Sequence, residues 1–439
     1  MRKTKEYSLS SLFLYALITN YELRISMTII PAKIDLAIIG AGPHALTLTT
    51  HLLQKRQRIR GKFLVFDPSG RWMSQWEHQF KALEIPSLRS PAVHHPDPNP
   101  FALRKFAQSR LDELFPPYDL PGTQLFEDFC QDVIRVWQLQ EQVIPLAVKS
   151  IEPLPHHLRP RFCLCLQDGQ KVIARRVVLA TGSAQIQIPD WVNQIQTAYP
   201  QDRLCHSQTI DLRKLQLMAK RVLIVGGGLT SGHLAVGAIS RGAKVHLMIR
   251  RQLVEKLFDA EPGWLGPKYL KDFFAQSDWG QRVMMIQQAR NGGSMTPAIA
   301  TQLRQQIRHG NIRIDENCQV VKAEWLNENW RVECSDDSQH ECDYIWLSTG
   351  TKFDVTTEPL LKDILATYPI KIVKGLPVLD TCLRWPGCEL FIMGGLAAML
   401  VGPTARNLSG ARMACEKIVP AIVKPSVALS YTFSRVQAG

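Results

Sequence analysis

The chain contains ten cysteines in 439 residues but no C-x-x-C and no C-x-x-x-x-C. That absence removes a dithiol relay and a tetrathiolate zinc site from consideration. The nearest pair, Cys163 and Cys165 in RFCLCL, would share one face of a strand. Thiols so dispersed fit a reducing, cytoplasmic compartment. Also missing is any lysine/arginine block, although the net charge is +13. The field therefore favours anionic small partners and does not single out nucleic acid. No low-complexity tract occurs; with 45% hydrophobic and 21% charged residues the chain is expected to fold around substantial cores. The apolar stretch LSSLFLYALI near the N-terminus falls short of the roughly 20 residues a bilayer span needs. No small-x-small cleavage site follows it. Residues 1–32 are expected to be an N-terminal extension, with Met27 opening MTIIPAKIDLAIIG; for residues 1–26 the alternative is a peripheral membrane anchor. No Ser-His-Asp or paired-carboxylate arrangement stands out.

What is present is a strand, glycine turn and helix, and it occurs twice. DLAIIGAGPHALTL, 35–48, carries a run of apolar residues suited to a strand buried on both faces. Its Gly40-x-Gly42-x-x-Ala45 has the spacing of a dinucleotide turn. The first glycine permits the tight turn, the second lets a pyrophosphate approach the backbone, and the small third residue lets helix and strand pack. Asp67 ends the next strand, KFLVFD, where a ribose hydroxyl would sit. RVLIVGGGLTSGHLAVG, 221–237, repeats the arrangement with Gly226, Gly228 and Ser231. Its returning strand ends in Ile249-Arg250-Arg251 rather than an acid. Arginines suit a 2′-phosphate, which points to NADPH; the alternative is a solvated strand end, since one residue of register decides it. Two such turns in one chain imply two dinucleotides that exchange a hydride: a resident FAD on the Asp67 side and an exchanging NADPH.

On these residues the chain resembles flavoproteins with two dinucleotide-binding domains. Within them it is most similar to flavin-containing monooxygenases and lysine/ornithine N-hydroxylases, and also to oxidative-stress-induced growth inhibitor proteins. The likeness covers about residues 33–420 and extends to VVLATG (177–182) and IWLSTG (345–350), which resemble the paired crossings flanking the second domain. It places Thr181, Gly182 and Gly350 beside the nucleotides. PSGRW, 68–72, resembles a loop covering the flavin, and GGLAAMLVGPTARNLSGA, 394–411, resembles the last FAD segment. There the family often has an aspartate where this chain has Gly395, next to Gly394. The F-x-G-x-x-x-H signature of flavin-containing monooxygenases is incomplete, with His206 in LCHSQTI supplying its histidine.

The resemblance implies an α/β fold with two Rossmann-like domains, the NADPH domain inserted into a discontinuous FAD domain. The expected bounds are 33–213 and 345–425 for FAD, 214–344 for NADPH, and 426–439 for a tail. It implies an NADPH-dependent oxidoreductase, in the first instance a monooxygenase acting through a flavin C4a-hydroperoxide on a small amine-like nucleophile with dioxygen. Two alternatives stay open: a reductase passing electrons to a quinone, and a redox-sensing regulatory flavoprotein with little turnover. Oligomeric state is not readable.

Other residues have two readings each. His44 could touch flavin or phosphate, or fill the first helical turn. Trp72 and Trp76 could stack on flavin or line a substrate pocket, or be core aromatics. His94 and His95 sit in the proline-rich loop 68–104, near the active site or solvated. Asn291 in NGGSMTP lies where the N-hydroxylases place pocket residues. Metal ligation by His94 and His95, or by His156 and His157, lacks a third ligand at a recognisable spacing.

Overall fold

In a computed structural model, the structure describes residues 30–154, 161–182, 184–290 and 292–423. The N-terminal stretch to residue 29, His156, His157, Asn291 and the tail lie outside the described residues.

The first glycine strand, β1 (Lys33–Ile39), runs into helix α1 (Pro43–Lys55) and returns as β2 (Phe63–Phe66). β1 pairs in parallel with β2 on one side and with β3 (Lys171–Leu179) on the other. Leu36, Ala37 and Ile38 are fully buried, because helices cover both faces of a parallel sheet. Leu390–Ile392 extends the sheet in parallel on β3, so the C-terminal part of the chain returns to the first sheet. The helix Leu408–Val423 then packs along α1.

The second unit repeats the plan. β4 (Arg221–Val225) feeds α2 (Leu229–Ser240), which returns as β5 (Lys244–Ile249). Its five-stranded sheet adds Ile312–Glu316 beyond β5, and β6 (Tyr344–Leu347) and Leu204–His206 on the other side of β4. An antiparallel three-stranded sheet, built from Val320–Leu326, Asn329–Cys334 and Gln339–Cys342, packs beside it through Trp330, Val332 and Leu223.

Leu204–His206 and Tyr344–Leu347 pair with each other inside the second sheet, so that unit begins before residue 204 and ends after 347. The chain crosses between units at two short antiparallel strands, Gln185–Ile186 and Thr351–Lys352. The helices α3 (Pro267–Ala275) and Trp279–Arg290, reached from the second sheet, bury Leu270, Phe273, Val283 and Ile286 in the first unit's core. α4 (Leu408–Val423) completes that core with Ala414, Cys415 and Ile418. Among the described residues no helix is long and apolar enough to cross a membrane.

Candidate functional site

Both glycine turns are forced by the same contact. Gly40 has φ +97°, and a Cβ there would lie 2.7 Å from the carbonyl oxygen of Ala180. Gly226 has φ +142°, and its Cβ would lie 2.2 Å from the carbonyl oxygen of Ser348. Ala180-Thr181-Gly182 and Ser348-Thr349-Gly350 are therefore equivalent segments of the two units, each laid against the first glycine of its own turn. A side chain at either glycine would drive the crossing segment away.

Gly42 caps α1 with no side-chain hydrogen bond, and Pro43 occupies the first helical turn. The free amides of that turn face a cavity of about 850 Å³ lined by Gly40, Gly42, His44, Asp67 and Thr181. Gly182, Gly394 and Gly395 line it as well. An uncapped helix N-terminus beside a glycine turn is an anion site. Asp67 is held in place: its Oδ2 accepts from Ala41 N at 3.0 Å, and its Oδ1 accepts from Ser69 N at 3.0 Å and Ser69 Oγ at 2.6 Å. A carboxylate has about four acceptor sites, so one remains for a ribose hydroxyl. Ala45 is buried and supplies the close helix–strand packing. The residues fit an FAD.

Gly395 has its own reason. A Cβ there would lie 2.2 Å from Cζ of Phe353. The ring fills the space that an aspartate at this position would need.

The second turn fits a dinucleotide too, with differences from the reading of the sequence. Gly228 caps α2 with no side-chain bond, leaving the first amides free. Ser231 is fully buried and donates from its Oγ to Gly228 O at 2.6 Å, closing the turn. Arg250 is exposed at the end of β5. Arg251 is half-buried and donates to Gly293 O at 2.8 Å. Gly293 itself lies against the turn, where a Cβ would be 3.5 Å from Gly228 Cα. Residues 292–295 thus lie over the second turn, held by Met295 N donating to Val254 O and Lys256 N donating to Met295 O, both at 2.9 Å.

Several expected contacts fall elsewhere. Trp72 does not line the cavity: it is core, and its Nε1 donates to Leu139 O at 2.8 Å. Gly350 does not line it either; its carbonyl accepts from Gln187 N at 3.0 Å at the crossing. His206 is buried in the second sheet, away from the cavity. Trp76 does line the cavity, stacked on Phe80 with ring centroids 4.1 Å apart. His44 lines it and bonds through Nε2 to Ala405 O at 3.0 Å, tying α1 to the last segment. Burial holds its pKa below the usual histidine value. His94 also lines the cavity, paired through Nδ1 with Ser90 Oγ at 2.8 Å, with its pKa lowered by burial and then by Arg412. His95 points the other way, buried against Phe129. The proline-rich loop is therefore a wall of the cavity and not a solvated excursion. Among the described residues no cysteine lines the cavity.

Sequence reasoning missed a set of arginines. Asp259, on the cavity wall, accepts from Arg89 Nη1 at 2.8 Å and from Arg290 Nη2 at 2.7 Å. Arg406 lines the same wall. Arg406 falls in the 394–411 segment, but the grouping is not written in one dimension, because the three arginines and Asp259 converge from four separate segments.

The comparisons agree with this geometry. A family model described as FAD-NAD(P)-binding matches residues 37–184, and one described as pyridine nucleotide-disulphide oxidoreductase matches residues 115–265. An ornithine N-hydroxylase from Kutzneria sp. 744 superposes with TM-score 0.73 at 16% identity, over 90% of this chain and 100% of that one. A cadaverine monooxygenase from Erwinia amylovora, solved with FAD, gives 0.71 at 13% identity, over 89% and 95%. A bacillithiol disulfide reductase from Staphylococcus aureus gives 0.58 at 14% identity, over 90% and 99%. No curated protein matches by sequence.

Proposed function

With an FAD/NAD(P)-binding oxidoreductase fold as the premise, we propose that the chain is an NADPH-dependent flavin monooxygenase that hydroxylates the nitrogen of a small amine. The carrying observation is the cavity of about 850 Å³. It holds the first dinucleotide turn, the Ala180–Gly182 crossing and the Gly394–Gly395 segment on one side. Trp76, Phe80, Tyr118 and Phe258 form an apolar wall on another.

Bound FAD would supply the hydride and oxygen chemistry. The protein's part is to hold and to shield. The free amides of α1 would take the pyrophosphate, and Asp67 a ribose hydroxyl. The N-terminus of α4 opens beside Asn407 and Ser409 on the cavity, placing a positive dipole end there. His44 and His94 are kept neutral by burial, so they add hydrogen-bonding groups without adding charge. The aromatic wall excludes water from the reacting centre. The uncapped α2 turn and Arg250 would hold the NADPH pyrophosphate and 2′-phosphate.

A disulfide reductase is the second reading, favoured by the second family model and by the reductase neighbour. The absence of a cavity-lining cysteine among the described residues leaves that reaction without a protein thiol at the flavin.

The deciding experiment reduces the purified holoprotein with NADPH without air and then mixes it with oxygen. A long-lived species absorbing between the reduced and oxidised flavin bands, with hydroxylamine formed on adding an amine, is the expected result. Direct return of the oxidised spectrum, with turnover on disulfides or quinones, would replace the monooxygenase reading by the reductase.

A further inference from the structure

The second unit holds three metal-ligating side chains that the flavin reading does not use. His246, Asp315 and His340 come from three strands of two sheets, and one donor atom of each lies within 4.8 Å of the others. His246 sits on β5 and Asp315 on the neighbouring strand Ile312–Glu316. His340 sits on Gln339–Cys342, at the edge of the antiparallel sheet. The register turns all three toward one layer. His246 shares the face of Met248, since side chains two apart on a strand point the same way. Asp315 pairs with Met248, and His340 lies opposite Val332. Met248 and Val332 are buried in the core between the two sheets. The three side chains are themselves half-buried, so the group stands at the rim of that core, open to an ion and to water.

The hydrogen bonds around the group orient it as an outer shell orients metal ligands. His246 Nε2 donates to Asp315 Oδ2 at 2.8 Å, while Asp315 Oδ1 accepts from Arg313 Nε at 2.9 Å. Arg313 is exposed, so water screens its charge. Ser338 Oγ gives its one proton to Asp336 Oδ1 at 2.7 Å, so at 3.0 Å it accepts from His340 Nε2. His340 Nδ1 then carries the lone pair that a ligand needs. Burial lowers the pKa of His246, which keeps its ring neutral and able to ligate. Two imidazoles and one carboxylate suit an ion of the zinc class, whereas calcium and magnesium prefer oxygen alone. We propose that His246, Asp315 and His340 hold a divalent ion of the zinc class, with water completing the tetrahedron, and that the ion ties the five-stranded sheet to the antiparallel one. The ion takes the place of the proton between His246 Nε2 and Asp315 Oδ2. That proton moves to the ring's other nitrogen, so the imidazole stays neutral. None of the three residues lines the flavin cavity, so the site is independent of the reaction proposed there.

The test uses the FAD-loaded full chain, free of any histidine tag and stripped of metal with a chelator. Zn²⁺ is added in calorimetry and in thermal melts, and Co²⁺ in difference spectra at wavelengths beyond the flavin bands. The unaltered protein is expected to bind one Zn²⁺ per chain, to melt at a higher temperature with the ion, and to show the cobalt bands of tetrahedral coordination. His340→Gln and Asp315→Asn are each expected to weaken Zn²⁺ binding by at least roughly 100-fold, beyond the loss that an outer partner brings. Both should also remove the thermal shift, with unchanged FAD content as the check on folding. Ser338→Ala, one bond further out, should weaken the ion roughly tenfold. A metal-stripped protein that takes up no Zn²⁺ overturns the site. So does uptake that either ligand substitution leaves unchanged, since the ion would then sit elsewhere on the chain. Should one of those two proteins fail to hold FAD, the other carries the comparison.

Discussion

At the scale of single residues, the two glycines of the first turn have separable jobs. Gly40 is fixed by backbone: its φ is +97° and a Cβ would press on Ala180. Gly42 faces open space on the ligand side, with nothing within 4 Å of a built Cβ. Gly40→Ala should therefore lower both stability and flavin content, the latter roughly tenfold or more, since a left-handed alanine alone costs about 1 kcal/mol before the clash. Gly42→Ala should keep the melting temperature and lose flavin. The ratio of visible to ultraviolet absorbance, alongside thermal melts, separates the two; matching losses in both variants would show that Gly42 is structural as well. The arginines of β5 divide likewise. Arg250→Ala is expected to raise the KM for NADPH about tenfold and leave that for NADH nearly unchanged, the sign of a lost 2′-phosphate contact. Arg251→Ala acts through Gly293 O and should shift both cofactors together. The glycines and Asp67 were legible in sequence because spacing encodes a turn. The arginines around Asp259 were not, because their convergence is a fact of three dimensions.

Among the elements, the strand–turn–helix units follow directly from apolar runs and glycines, whereas the loop 68–104 does not. Six prolines forbid a long helix there but say nothing of what the loop packs against. In the fold it is anchored: Thr50 Oγ1 donates to Pro96 O at 2.6 Å, Trp137 Nε1 donates to Asp97 Oδ2 at 2.9 Å, and His95 is buried beneath it. That burial also splits Trp72 from Trp76, which the sequence could only offer as a pair. His95 carries a pH consequence. Desolvation takes its pKa to about 4, against the favourable pulls of Pro100 O and Asp97. The folded state thus binds its proton more weakly than the unfolded state, whose histidine titrates near 6.5. Stability from neutral His95 is complete above that value and drains away as pH falls from about 6.5 toward 4. His233, buried in α2 and lowered to about 4 by desolvation, adds in the same direction. Urea midpoints should fall between pH 7 and pH 5, and His95→Phe should make that fall shallower. An unchanged slope in the variant would place the titration elsewhere.

At the scale of the whole molecule, the inserted arrangement was legible because a second glycine turn lies between two T-G crossings. Its edges were not, because Leu204–His206 is three residues long and its membership in the second sheet is decided by a partner, β6, that lies far along the chain. What sets the two units against each other is carried by side chains. Arg89, from the first unit's loop, donates to Leu257 O at 2.7 Å, to Lys256 O, to Asp259, and to both the carbonyl and hydroxyl of Ser294. It therefore pins the two segments, residues 254–259 and 294–295, that hold the cover over the second turn. Arg89→Ala leaves Asp259 with Arg290, so no naked carboxylate results, and the expected loss is moderate, about 1–3 kcal/mol. Its location is the stronger expectation. Hydrogen exchange should quicken at the amides of Lys256 and Met295, whose bonds close that cover, while β1 and β3 keep their protection. Arg89→Lys returns the charge but not five directed donors, and should recover little. A loosened cover would in turn make NADPH bind and leave faster without changing FAD content. Exchange that rises evenly across both sheets would mean that Arg89 supports the fold at large and does not govern access to the second dinucleotide.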